Sequence, residues 1–230
     1  MSWIDAAKRL AAESAAAHVE SGMVVGLGSG STAVHAIRSI GERLSSKALN
    51  DVLGVPTSHQ AEMDAVEARI PLTTLSEHPM LDLGIDGADQ ISSGLDAIKG
   101  GGGALMREKV VASASRLYIL VADERKLADR LGAGQPLPLE VLPFALGSVL
   151  RGIEELGSKA VVRKGSGKLG PVVTDNGNFI VDADFGAIPD PRGLDAELKA
   201  VPGVLETGLF LGYAHLAYVG TESGVRKLSP

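Results

Sequence analysis

Cysteine is absent from the 230-residue chain, which excludes disulfides, thiolate metal sites and a cysteine nucleophile and suits a reducing, cytoplasmic compartment. Aromatic side chains make up only 3%, so base stacking has little to work with. No apolar run approaches the ~20 residues that span a bilayer. Positive charge is scarce too: 22 Lys and Arg stand against 28 Asp and Glu, a formal charge of −6. No basic stripe appears, so neither nucleic acid nor an anionic membrane is an expected partner. An anionic small substrate therefore needs local basic residues of its own. His18, His35, His59, His78 and His215 share no metal-ligand spacing. Ser29, Ser31 and Thr32 have no His and Asp in a nucleophile arrangement, so a hydrolase triad is not supported.

What is present is an ordinary globular composition, 45% hydrophobic and 22% charged, enough for one large core or two small ones. MSWIDAAKRLAAESAAAHVE carries Asp5, Lys8, Arg9 and Glu13 inside its apolar pattern, and so predicts an amphipathic helix and not a secretory signal. Strand and helix signals then alternate. Strands are predicted at Met23 to Leu27, Asp51 to Pro56, Leu81 to Ile85 and Arg116 to Val121. Helices are predicted from Ala33 to about Leu44, from Thr57 or Ser58 through Ala68, and from Ala104 to Ser115. This is the order of a doubly wound, mostly parallel α/β sheet, whose strand-end loops are where ligands bind. The Gly/Pro-rich LGAGQPLPLEVLP marks a crossing, followed by a strand, a helix over about 144–156 and a strand at 159–163. VVTDNGNFIVD reads as a hairpin turning at Asn176-Gly177, and a helix near 194–200 closes the unit. The expected organisation is a large α/β domain of residues 1–131 and 206–230 with an inserted small α+β, ferredoxin-like domain of residues 132–205.

Four motifs sit at strand ends. GLGSGST over Gly26–Thr32 presents a glycine-rich helix start suited to an anion. It lacks the third glycine of a dinucleotide fingerprint and the Lys of a P-loop, and it equally fits a tight turn capped by Ser31 or Thr32. DGADQI places Asp86 and Asp89 around two small residues, either as local caps or as acceptors for sugar hydroxyls. KGGGG from Lys99 implies close approach to the backbone or a flexible lid. In the helix after it, the wheel puts Lys109 with Ser113 and Arg116, and Glu108 among Ala104, Leu105, Val111 and Ala112. Partial burial there would raise the Glu108 pKa towards that of a proton-transfer group. Arg107 falls near Val111 and Ala114 and would need a carboxylate partner. ADERK, ending in Lys126, fits an exposed turn.

GLGSGSTA, TSHQAE, DGADQI, KGGGGALMREKVVA, PLPLEVLP, VVTDNGNFIVD, PGVLETGLF and VGTESGV occur in this order. Together they closely resemble the type A ribose-5-phosphate isomerases, over about Lys8 to Leu228. The resemblance implies interconversion of D-ribose 5-phosphate and D-ribulose 5-phosphate, in the non-oxidative pentose phosphate pathway, through a cis-enediol(ate). By position it implies a first substrate loop of Ser29, Gly30, Ser31 and Thr32, with the last two at the phosphate. A second loop of Asp86, Gly87, Ala88 and Asp89 would line the sugar, and a third would comprise Lys99, Gly100, Gly101 and Gly102. Glu108 would be the acid/base, Lys126 would pair with the phosphate, and Lys8 would also reach it. Lys99 would stabilise the developing oxyanion, Asp86 or Asp89 would assist ring opening, and no metal or organic cofactor would be needed. A homodimer is the implied assembly.

The chain departs from the pattern at three places. Ser29 stands where Thr is common, Gly103 where Ala is common, and Glu124-Arg125 precede Lys126 where smaller or uncharged residues are usual. Other readings of these residues are an amino-sugar deaminase, a sugar-phosphate-sensing regulatory domain, and an aldolase-like Schiff base on Lys99.

Overall fold

The computed structural model of the protein describes residues 2–167 and 169–230. Met1 of the N-terminal segment and Lys168 of the small unit lie outside them. Helix α1 (Trp3–Ala16) is started by Ser2, whose side chain accepts from the Asp5 N–H while Asp5 returns a bond to the Ser2 N–H, a reciprocal cap worth ~1 kcal/mol. Its buried face is Ala7, Ala11, Ala12, Ala15 and Ala16. Methyl-sized side chains at that spacing let the helix lie close on the sheet, where anything larger would overpack at about 1–3 kcal/mol.

The remaining elements alternate as expected through the first half. They are β1 (Val24–Leu27), α2 (Ala33–Ser45), β2 (Leu53–Pro56), α3 (His59–Glu67), β3 (Leu81–Gly87), the short β4 (Gln90–Ile91) and β5 (Ala97–Ile98), α4 (Leu105–Ala114) and β6 (Ser115–Asp123). Then come β7 (Leu137–Val141), α5 (Leu146–Glu155), β8 (Lys159–Val162), β9 (Phe179–Asp184), α6 (Pro191–Lys199), β10 (Val204–Thr207), β11 (Leu209–Phe210), β12 (Leu216–Thr221) and β13 (Gly224–Leu228). Ser58, not Thr57, caps α3, accepting from the Ala61 N–H.

The main sheet has the order β13-β12-β6-β3-β1-β2, parallel except for β13. Its strands are apolar on both faces, as parallel strands between helices require: Val25, Leu27, Leu83, Ile85, Ile119 and Val121 are buried on one face with residues of α1, α2 and α3, and Tyr118, Leu120 and Ala122 of β6 on the other with Leu105 and Ala112 of α4. The chain leaves β1 for β2 on one side and crosses to β3 on the other. The crevice beyond the carboxyl ends of β1 and β3 is thus the topological switch point, where such sheets take ligands.

The second sheet is antiparallel with order β10-β7-β9-β8, and the run β7-α5-β8-β9-α6-β10 is the ferredoxin-like arrangement. Val149 and Ile153 of α5 and Leu198 of α6 pack on Leu137, Leu139, Val141, Val181 and Ala183 of the sheet. Strand β7 lies inside the Gly/Pro-rich crossing and not after it. Pro138 is tolerated because the β10 ladder ends at Leu139, so no partner there needs its missing N–H. The hairpin at Asn176-Gly177 forms its turn, with Gly177 at φ +81°, but among the described residues the first arm makes isolated bridges, Val173 with Phe179 and Pro171 with Lys164, in place of a strand ladder. Thr174 Oγ1 accepts the Asn176 and Asn178 N–H groups, which tightens the turn in place of a longer ladder. A third small sheet, β11-β5-β4, carries the chain into Lys99.

Candidate active site

Three strand ends meet at the switch point. After β1, the Gly28 N–H bonds to Ile85 O at 2.9 Å. A Cβ on Gly28 would lie 2.3 Å from Asp86 Oδ1, so only glycine lets β1 pass the carboxylate. The alternative reading of this turn, a cap by Ser31 or Thr32, does not form. Thr32 sits at the N-cap of α2 with no side-chain bond, and Ser31 Oγ accepts from Lys8 Nζ at 3.0 Å. Backbone satisfaction comes instead from Val34 N–H to Gly30 O, so both hydroxyls stay with the helix start, where an anion is favoured. Ser29 Oγ turns to Thr57 Oγ1 (2.8 Å) and Ser58 Oγ (2.6 Å).

Beneath the crevice lies a buried charge cluster. Lys99 Nζ, 2% exposed as a residue, donates to Gly87 O at 2.6 Å and lies 3.0 Å from Asp86 Oδ2 and 3.2 Å from Glu108 Oε2. It also stands 5.3 Å over the Phe210 ring. Asp86 Oδ1 accepts from the Ser29 and Gly87 N–H groups, and Oδ2 accepts from the Tyr118 hydroxyl. Burial pulls the Lys99 pKa down, but Asp86 and Glu108 outweigh it and raise it above the ordinary value. Burial pushes the Glu108 carboxyl up, Asp86 adds to this, and Lys99 opposes it, leaving it at about 8. Glu108 Oε2 faces the Lys99 ammonium at 3.2 Å and has no other polar partner among the described residues. Burial next to Asp86 drives the Tyr118 phenol well above its usual range, keeping it a donor.

The cavity above this cluster measures about 270 Å³, room for a pentose phosphate. It gathers Ser29, Gly30, Ser31 and Thr32 from the first loop, and Gly87, Ala88 and Asp89 from the second. The third loop supplies Lys99, Gly100, Gly101 and Gly102, and Glu108, Lys126 and Lys8 complete the expected set. Asp86 is the exception. It is 1% exposed and off the cavity wall, because its oxygens are taken by two backbone N–H groups, Tyr118 and Lys99. Of the two aspartates only Asp89 borders the cavity, and Asp86 holds Lys99 from behind. A larger opening of about 690 Å³ lies around Met106, Val110 and Leu72 but contains neither Lys99 nor Glu108. Lys99 and the raised Glu108 carboxyl both line the smaller cavity, which makes it the candidate site. Among the described residues no group of three or more His, Asp or Glu is placed to hold a metal ion.

The sequence profile of ribose 5-phosphate isomerase A (phosphoriboisomerase A) matches residues 53–224. The ribose-5-phosphate isomerase A of Methanosarcina acetivorans is 51% identical over 96% of this chain and 93% of its own length. That of Pyrococcus horikoshii is 42% identical over 98% of both. A D-ribose-5-phosphate isomerase solved in complex with phospho-erythronic acid superposes with a TM-score of 0.97 at 42% identity, covering 100% of both chains. The Methanocaldococcus jannaschii enzyme superposes at 0.94, also at 42% identity, covering 98% of this chain and 99% of its own.

The chain belongs to the ribose-5-phosphate isomerase A family.

Several residues of this isomerase-family site escape a reading of its motifs. Tyr118 and Phe210 lie under Asp86 and Lys99. A hydroxyl in the buried strand β6 was a usable signal, because a buried phenol needs a partner. Arg125 borders the cavity with its guanidinium paired to the buried Asp123 (2.7 and 3.1 Å). Lys109, expected on the polar face of its helix, is 4% exposed. Its ammonium bonds to Glu206 Oε1 (2.8 Å) and Thr207 O (2.7 Å), which ties α4 to β10. Arg107 pairs with Asn176 Oδ1 and Asp175 O, both at 2.8 Å, and not with a carboxylate.

Proposed function

We propose that this chain interconverts D-ribose 5-phosphate and D-ribulose 5-phosphate by proton transfer through a cis-enediol(ate), in the non-oxidative pentose phosphate pathway. The observation that carries the reading is the buried Lys99–Asp86–Glu108 cluster on the floor of a cavity whose other end is basic. Lys8, Lys126 and the start of α2 with Ser31 and Thr32 receive the phosphate, which places C1 and C2 of the open-chain sugar at Glu108. The raised Glu108 carboxyl takes the C2 proton of the aldose and returns it at C1. Lys99, kept protonated by Asp86, faces the oxygen on which negative charge develops, an interaction strongest in the transition state. Asp89 accepts from sugar hydroxyls and assists ring opening. The residues themselves supply the acid, the base and the oxyanion partner, so the reaction as proposed calls for no cofactor.

A Schiff base on Lys99 is disfavoured, because a nucleophilic amine must be neutral and three oxygens surround this ammonium. We further infer a homodimer, supported by Phe144, 98% exposed, and Val161, 65% exposed, apolar surface that a second copy would cover. A cytoplasmic location is supported by the absence of cysteine. No helix of the described residues is long and apolar enough to cross a membrane.

The test is ketose formation from ribose 5-phosphate by the purified chain. Free ribose, which gains nothing from the basic end, is expected to turn over with kcat/KM lower by at least about 10³, since remote binding energy supports the chemistry. Lys126→Ala should act on the same axis, raising KM for ribose 5-phosphate by about tenfold with kcat nearly kept, as loss of a contact made in both ground and transition states does. A collapse of kcat at constant KM would move Lys126 into the chemistry.

A further inference from the structure

The loop over residues 99–103 is held on both sides by charges. Asp89 Oδ2 accepts from the Gly101 N–H at 2.7 Å, and a Cβ on Gly101 would meet Asp89 Oδ1 at 2.7 Å, so the carboxylate can approach only a glycine. From the opposite side comes Arg163, just beyond β8. Its Nη1 donates to Gly100 O at 2.7 Å and to Gly101 O at 3.0 Å. Its Nε donates to Asp182 Oδ2 at 2.8 Å, and its Nη2 to Asp182 Oδ1. The Asp182 fork on β9 fixes the guanidinium plane, and the side chain is 19% exposed, so this is a built contact and not a surface pair.

Two successive peptide groups therefore carry a cation on their carbonyl side. Peptide bonds among the described residues are not cis, so each N–H points away from its own carbonyl and thus away from Arg163. In the first unit, Gly100 O faces Arg163 and the Gly101 N–H holds the Asp89 carboxylate. In the second, Gly101 O faces the same guanidinium, while the Gly102 N–H meets no acceptor among the described residues and Gly102 borders the cavity. The first unit shows what the second can bind: a negatively charged oxygen.

We propose that Arg163 is a positioning residue for the isomerisation, acting through the Gly100 and Gly101 carbonyls to aim and polarise the Gly102 N–H as a donor to the enediolate oxygen. The cation sits on the ferredoxin-like unit, so that unit takes part in the chemistry without touching substrate. Arg163 does not line the cavity, and its role differs from that of Lys99. Lys99 supplies charge directly, whereas Arg163 fixes the direction of a backbone dipole before the reaction begins.

The inference rests on the isomerase reading, and Arg163→Met tests it with three probes: ribose 5-phosphate turnover, and the direct binding of phospho-erythronic acid and of inorganic phosphate, each read by calorimetry. The acid's carboxylate imitates the enediolate oxygens, whereas inorganic phosphate reads only the basic end. The expected result is a fall in kcat of about 10–100-fold with KM within about threefold, smaller than the loss of an oxyanion donor itself. Affinity for phospho-erythronic acid falls by a similar factor, affinity for inorganic phosphate stays within about twofold, and Arg163→Lys recovers part of the loss because its ammonium still reaches a carbonyl. Should Arg163→Met fail to fold, Asp182→Asn loosens the guanidinium while keeping it in place, and is expected to show the same pattern at about three- to tenfold. Unchanged kcat and unchanged phospho-erythronic acid affinity in a folded variant would overturn the proposal. So would an equal loss of inorganic phosphate affinity, the mark of a general loop collapse. If the unaltered chain formed no ketose, the isomerase reading would fall on its own, since the phospho-erythronic acid measurement reads the loop without turnover.

Discussion

Glu108→Gln is expected to lower kcat by about 10²–10⁴ while KM for ribose 5-phosphate stays within about threefold, the range for removal of a positioned general base. Gln keeps the shape of the side chain and its place against Lys99, so the cavity persists and only the proton acceptor is gone. The effect on pH dependence follows from the raised pKa. In the parent, kcat/KM should rise with pH along a limb whose midpoint lies far above the ordinary carboxylate range, towards the value of about 8 held by the free site; in the variant that limb disappears. Stability carries the same signature. A carboxyl raised from 4.5 in the unfolded chain to about 8 in the folded one favours the folded state fully below pH 4.5, and that contribution is lost as pH rises through 8. The melting temperature of Glu108→Gln relative to the parent should therefore increase between pH 5 and pH 9. A variant that kept parental kcat, or a parent whose acid limb lay near pH 4, would remove Glu108 from the proposed role.

Lys99→Met should have the other large effect, and on two quantities together. Removing the ammonium leaves Asp86 buried with its charge unpaired, a change that costs roughly 3–5 kcal/mol in comparable buried pairs. The Tyr118 hydroxyl and the Ser29 and Gly87 N–H groups remain on Asp86, so the fold is weakened but not lost. Loss of Lys99 also removes the one influence that lowers the Glu108 pKa, so Glu108 stays protonated to higher pH, and the developing oxyanion loses its cation. The kcat should drop by at least about 10³, more than an oxyanion donor alone contributes. Urea unfolding and steady-state kinetics on the same preparation check both. A variant with parental stability would mean that Asp86 is neutral in the folded protein, and one with parental kcat would mean that Lys99 does not face the reacting oxygen.

How far the site could be read from the sequence depended on whether its determinants were local. The three strand-end loops were legible because glycine at close approaches and paired Asp after a buried strand leave marks within a few residues. Glu108 was legible for the same reason: its neighbours Ala104, Leu105, Val111 and Ala112 share its helix, and their small or apolar character predicted the burial that raises its pKa. The wheel grouped Lys109 with the polar Ser113 and Arg116 and gave no sign of its burial, because what buries it, Glu206 and Thr207, lies almost a hundred residues away and gives α4 no local signal. Asp86 looked like a sugar ligand since a motif shows the carboxylate and not its occupants, and Tyr118 reaches it only through the pairing of β3 with β6. Arg163 was invisible on the same grounds, because its acceptors are backbone carbonyls, which have no sequence signature. The alternation of strands and helices and the ferredoxin-like class of the small unit were legible because each segment carries its own periodicity, whereas the strand order of the main sheet comes from long-range pairing and was not read.

In the proposed reaction a proton held by Glu108 moves between C2 and C1. Isomerisation of ribose 5-phosphate in heavy water reads this directly, since a carboxylic acid that receives the C2 proton exchanges it with solvent in competition with its return. Solvent deuterium is expected at C1 of the ribulose 5-phosphate formed, in only part of the molecules where the cavity shields the proton, with a rate unaltered by exhaustive chelation. Complete retention of the original hydrogen, with activity lost on chelation and restored by a divalent ion, would contradict it and require a hydride shift at a metal.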